Sequence, residues 1–350
     1  MIRAEPDLLA DLAADPDTAT SGRPRGGART KQNAPNSLTQ HPFPSPSAPP
    51  SWARASGTAA EGEPLFFAGA SLALLDAFMR RDPPAAGALR NRLALQSAAA
   101  SAKILRLNTD AAALRDLRFA VGTDLSPAAK LLGLWRDLAA RPPRLDVARL
   151  AAAAAALDLP AANADALAES LREQSRAGDP VSATAKAAAF AFSLFPDAPA
   201  AEAEILALWL FDLTLAIRLR WPRPIPLIAT RVLGSNLRSE GAGRRLRPGE
   251  PAWPKVAAGA IALAAAVALD LAADLSRRSE ILLAVAPKLR AKPAAKVVDL
   301  LLAEDCIAPA EAARHAPMTD RAARRLFDRL ISSSAAREFS GRPTFRLYGL

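Results

Sequence analysis

Arg321, Arg324, Arg325 and Arg329 fall on one half of a helical wheel near the end of the chain, with Asp328 among them. A guanidinium keeps its charge at any physiological pH and presents a planar fork of donors that matches phosphate oxygens. Ala322, Ala323, Leu326, Phe327, Leu330 and Ile331 fill the other half, so one face can pack while the other offers four guanidinium groups. Thr319 stands where its hydroxyl caps the first turn, although Ala322 lacks the carboxylate or amide that would complete a capping box. A helix laid in a major groove reads bases from its first residues, and neighbouring arginines set its register on phosphates. Thr319, Asp320 and Arg321 are therefore candidates for base contacts. Arg324, Arg325 and Arg329 are candidates for phosphate or minor-groove contacts, as are Arg342 and Arg346 farther along. A solvated charged face is the alternative for the same pattern.

Such a helix needs partners to hold it. In "AAKVVDLLLAED", Val297, Val298, Leu301 and Leu302 recur at helical spacing. Pro309 suits the first position of a second short helix, "PAEAARH", and Pro317 stops it. After the arginine helix, "REFSGRPTFRLYGL" gives two alternating runs around Ser340-Gly341-Arg342-Pro343, a hairpin signal. Three helices and a hairpin form the plan of a winged helix-turn-helix. Arg342 is expected at the tip of the wing and Arg346 on its second strand.

Other chemistry is hard to assemble from this inventory. The single cysteine, Cys306, excludes an internal disulfide and fits a reducing cytosol. With His41 and His315 as the whole histidine supply, a Cys/His zinc site cannot be built, and His315 is explained by the C-terminal dipole of its own helix. No GxSxG, GxxxxGK[ST] or GxGxxG pattern occurs. No cofactor, metal or catalytic residue is therefore assigned, and an enzyme is not expected. "SEGAGRRLRPGE" could hold a phosphate through Arg244, Arg245 and Arg247, with a solvated loop as the favoured alternative. Asp76, Asp212 and Asp270 interrupt apolar helix faces, so each calls for a partner such as Arg218, Arg220 or a backbone donor.

The composition bounds the architecture. Alanine and leucine dominate and aromatics make up only 5 %, which favours an all-α fold. The net charge is +10. From Ala286 to Leu350 there are 12 Lys or Arg against 7 Asp or Glu, so half the excess (12 − 7 = +5) lies in under a fifth of the chain. Residues 1–62 carry nine prolines and only two aromatics, Phe43 and Trp52, and are expected to be a disordered leader. Residues 63–286 then read as a helical domain and 287–350 as the winged-helix domain. In the first helical block Phe66, Phe67, Ala70, Leu74, Leu75 and Phe78 share a face. In the second, Arg90 and Arg92 lie off the apolar stripe. A helix over Val256 to Leu275 and another over Ser279 to Val285 close the domain. The start "MIRAEPDLLADLAADPD" has no apolar h-region, and the longest purely apolar run, Val256 to Leu269, spans 14 residues, short of a bilayer. A cytoplasmic protein is expected, with no membrane partner.

"LAIRLRWPRPIPLIAT", "LRPGEPAW", "LLAVAPKLRAK" and the closing "REFSGRPTFRLYGL" resemble the hallmark stretches of the domain-of-unknown-function 1403 family, from about Pro50 to the end. That resemblance implies an uncharacterised bacterial protein of a kind often carried on plasmids, and it lends no catalytic residues. The leader before Pro50 departs from the family's usual length. The tail also resembles winged helices appended to Fic-type proteins, but no Fic signature occurs. The expectation is a DNA-binding regulator or plasmid-associated accessory factor, whose helical domain carries a protein partner or a homodimer contact. The alternative is a helical interaction scaffold whose winged helix docks onto protein.

Overall fold

Every residue from Ala203 to Ala216 in helix α8 (Ala200–Arg218) is buried. A helix apolar almost all round has no face to leave in water, so the others assemble about it. In this computed structural model the described residues are 45–54, 64–119, 126–160, 164–174, 178–234, 245–289, 293–342 and 345–350. All of them belong to the unit Pro42–Leu350. The expected leader lies outside the described residues except for 45–54, where a 3-10 turn, Ser51–Ala53, buries Ala53.

The helices ahead of α8 are α1 (Pro64–Met79), α2 (Ala86–Ile104), α3 (Ala111–Arg118), α4 (Pro127–Ala140), α5 (Val147–Ala156), α6 (Ala164–Gln174) and α7 (Pro180–Ser193). After it come α9 (Ile228–Arg231), α10 (Trp253–Val285), α11 (Ala294–Ala303), α12 (Pro309–His315) and α13 (Asp320–Ser332). Strands β1 (Arg337–Glu338) and β2 (Tyr348–Gly349) follow. With thirteen helices and one two-stranded sheet among the described residues, the fold is all-α.

Side-chain caps start many of these helices. Asp110, Ser126, Asp146, Asp179 and Thr319 each accept from the backbone N–H three residues on, which satisfies a donor the helix cannot. Pro127, Pro180 and Pro309 occupy first-turn positions, where a missing N–H costs nothing. Indole N–H groups tie the helices together inside. Trp135 donates to Ser101 Oγ, Trp209 to the Leu134 carbonyl and Trp253 to the Ala185 carbonyl. Helix α10 packs on α1, α7 and α9, while α2 packs on α4, α9 and α11.

Several local expectations are corrected. Helix α10 runs unbroken through Ser276-Arg277-Arg278-Ser279, because Asp274 pairs with Arg277 and Arg278 and Ser279 Oγ bonds the Ser276 carbonyl. By length and composition it is the one helix among the described residues that could cross a membrane, yet more than half of its most apolar window is buried inside the protein. Helix α1 buries Ala68, Ser71, Leu72, Leu75, Phe78 and Met79, leaving Phe66 47 % exposed. A helix apolar on all sides does not dictate which stripe faces inward.

The three interrupting acids differ from one another. Asp76 accepts from Arg80 Nε at 2.7 Å and from Trp221 Nε1 at 2.8 Å. Asp212 is wholly buried and accepts from the backbone N–H groups of Leu227 and Ile228, at the start of α9. Asp270 is exposed. Arg218 instead donates to the Gly178 carbonyl.

Candidate functional site

Arg90 and Arg92, expected off the apolar stripe of α2, are both buried. Helix α2 packs against α4 and α9 on one side and α11 on another, which covers both side chains. Arg92 Nε donates to Asp305 Oδ1 at 2.6 Å, and its Nη2 reaches the carbonyls of Asp305 and Leu350. Arg115 Nε, from α3, takes the other Asp305 oxygen at 2.6 Å. Burial by itself pushes the Asp305 carboxyl up, but the charges and bonds of Arg92 and Arg115 overcome it and hold the group below the usual carboxylate range.

The same face repeats this pairing. Arg118 contacts Glu311 at 2.8 Å and Glu304 at 3.2 Å, and Arg136 of α4 contacts Glu304 at 2.9 Å. Phe339, from the closing motif, has the guanidinium groups of Arg92, Arg115 and Arg337 within 5.3 Å of its ring centroid. Tyr348 stacks on Phe327 with centroids 4.3 Å apart. A Cβ on Gly349 would collide with the Asp305 carbonyl and the Phe339 ring, so the terminal strand can lie there only with glycine. Cys306 is 1 % exposed, and burial followed by the Asp305 charge pushes its thiol up to about 12, far from a nucleophilic thiolate.

With three of its acids turned inward, the C-terminal segment presents α13 outward. Its hydroxyl cap is in place, since Thr319 Oγ1 accepts from the Ala322 N–H at 3.2 Å. Ala323, Phe327 and Leu330 form the buried stripe, which is narrower than expected, since Leu326 is half-buried and Ala322 and Ile331 are exposed. Arg321, Arg324, Arg325 and Arg329 are exposed on the other side. Among the described residues Arg321 and Arg325 make no hydrogen bond or ion pair. Arg324 pairs with Asp320 at 2.8 Å one turn earlier, and Arg329 donates to the Lys288 carbonyl. Arg346, expected on the second strand, lies two residues before β2 and approaches Asp328 at 3.7 Å. Arg342 is drawn elsewhere: its Nη1 binds Asp116 of α3 at 2.7 Å, so the expected wing-tip arginine is held against the helical body.

Two further features were differently placed from expectation or unforeseen. Arg245, in the candidate phosphate loop, forms an ion pair with Glu204, and Arg247 lies 3.7 Å from the same carboxylate. Glu204 is completely buried, so these arginines neutralise an interior charge. Arg244 and the rest of that loop from 235 to 244 lie outside the described residues. The acid-to-arginine clamp has no expectation behind it, and its one sequence signal is the pair Glu304-Asp305 set between the apolar runs of α11 and Cys306-Ile307-Ala308.

A comparison with curated proteins finds no match to this chain. The closing motif that locks α2, α3 and the final strands together is the most distinctive of the stretches noted above, and the profile of one family spans residues 38–350. The chain belongs to the family of proteins of unknown function DUF1403.

Proposed function

We propose that the C-terminal segment is a winged helix that binds duplex DNA through α13, in a cytoplasmic regulator or accessory factor. Support for the fold comes from the order of elements and their pairing. Ile307, between α11 and α12, bridges Tyr348 of β2, and β2 pairs antiparallel with β1. That strand order, with the loop-joined pair after the third helix, is what the winged-helix plan requires.

The observation that carries the DNA reading is charge segregation. Glu304, Asp305 and Glu311 are spent on arginines of the helical body, whereas Arg321, Arg324, Arg325 and Arg329 face outward together. The pair between Arg324 and Asp320 is exposed and of the kind worth about 0–1 kcal/mol, so a phosphate can displace it. Arg342 pairs with Asp116 in an exposed ion pair of the same kind, so Thr319, Arg342 and Arg346, which precedes β2, complete the interface with α13.

The test is binding of the full chain to a mixed-sequence duplex over a salt series. Arg324→Ala with Arg325→Ala should flatten the log–log salt slope by about 1.8, two phosphate contacts' worth, without loss of helix content. A wild-type protein that retards no duplex at low salt would exclude this reading and make α13 a protein-docking face.

A further inference from the structure

Arg90 is the least compensated charge in the interior. It is 8 % exposed, its Nε is fully shielded, and among the described residues it has no hydrogen-bond or ion-pair partner. A buried guanidinium in that state is costly, and such groups are normally paired. Arg90 lines a cavity of about 490 Å³ between α2, α4, the turn after α8 and the end of α11, which is a volume suited to a small molecule.

The lining carries four arginines, Arg90, Arg136, Arg141 and Arg223, against two acids, Asp137 and Glu304. Both acids are already engaged. Asp137 lies 2.7 Å from Arg141 and 3.3 Å from Arg149, and Glu304 lies 2.9 Å from Arg136 and 3.2 Å from Arg118. Arg90 and Arg223 are left with two positive charges and no carboxylate of their own. Burial, then the neighbouring charge of Arg223, destabilises the Arg90 cation, and Asp82 opposes this only through a longer-range attraction. Arg223 comes from the Trp221-Pro222-Arg223-Pro224 turn, where alternating prolines restrict the backbone that presents it.

We propose that this cavity binds a small phosphorylated molecule, with its phosphate dianion held between Arg90 and Arg223. Guanidinium forks suit phosphate oxygens, and two uncompensated cations match a doubly charged ester. The remaining volume, bounded by Gly133, Asn91 and Ala303, accommodates the esterified group. Because Ala303 and Glu304 end α11, the bound molecule would touch both the helical body and the C-terminal segment.

The experiment titrates the full chain with inorganic phosphate, against sodium chloride at matched ionic strength, by thermal shift and calorimetry. A ligand of the native state raises Tm along a saturating curve. Arg223→Ala, at an exposed position, should weaken binding about tenfold or more, the loss expected for a charge-assisted contact. Arg90→Met should abolish the saturable response while keeping or raising the Tm without ligand. Arg325→Ala on α13 should leave phosphate binding unchanged, which separates this site from any DNA contact. Stabilisation that never saturates and survives Arg223→Ala would be the general effect of an excluded salt and would overturn the proposal. Saturable binding of succinate in place of phosphate would overturn the ligand class. If Arg90→Met does not fold, the Arg223→Ala comparison decides.

Discussion

Asp305→Ala should destabilise this protein by about 3 kcal/mol, at the lower end of the range for breaking a buried ion pair from one side. The estimate follows from the surroundings. The Arg92 and Asp305 side chains are each 5 % exposed and meet at 2.6 Å, so water cannot replace the lost carboxylate at Arg92. Arg115, 20 % exposed, can turn toward solvent and loses less. Arg92 also keeps the carbonyls of residues 305 and 350, which moderates the penalty. Urea unfolding measures the global cost. Cys306 provides a local reading, because its thiol is 1 % exposed and reacts only when the turn opens. If the clamp governs that opening, the labelling rate should rise about a hundredfold, the equivalent of about 3 kcal/mol. Arg92→Met combined with Asp305→Leu should recover most of the loss, since an apolar pair of similar volume carries no stranded charge. A loss below about 1 kcal/mol for Asp305→Ala, typical of a surface pair, would refute the reasoning.

Two other perturbations probe the interior. Burial raises the Asp212 carboxyl to about 8, against the pull of its two backbone donors. The folded state therefore holds a proton that the unfolded chain releases above about pH 4, and stability attributable to this group should fall from there up to about pH 8. Asp212→Asn cannot ionise, so the difference in unfolding free energy between variant and wild type should change by a few kcal/mol over that window. Parallel pH profiles would show that Asp212 is ionised in the fold. Gly349→Ala should cost about 1–3 kcal/mol in urea unfolding, because the new Cβ meets the Asp305 carbonyl and the Phe339 ring. A neutral result would mean the terminal strand can shift without loss.

What the sequence makes legible is local. Caps such as Thr319, prolines such as Pro309, the buried stripe of α13 and the succession of three helices and a hairpin all follow from residues a few positions apart. The clamp is not legible, because Arg92 and Asp305 are separated by 213 positions and no periodicity links them. Arg90 and Arg92 read as solvent-facing until α11 and the final strands cover α2. Phe66 fails for the opposite reason: in α1 apolar residues are so plentiful that several faces qualify as core. The arginines of α13 lie on an exposed face, as expected, and so does Arg342, but its pairing with Asp116, 226 residues away, has no local signal.

The distance between clamp partners also sets an order of events during synthesis. Arg92, Arg115 and Arg118 leave the ribosome some 188 to 213 residues before Asp305, Cys306 and Glu311. At translation rates of about 5–20 residues per second, that gap is roughly 10–40 s. Throughout it, α2 and α3 carry a basic face without its acids, and the nascent chain must tolerate this vacancy while α8 and α10 gather their core. Completion of the fold is therefore deferred until β1 and β2 have been made and close over the Phe339 ring.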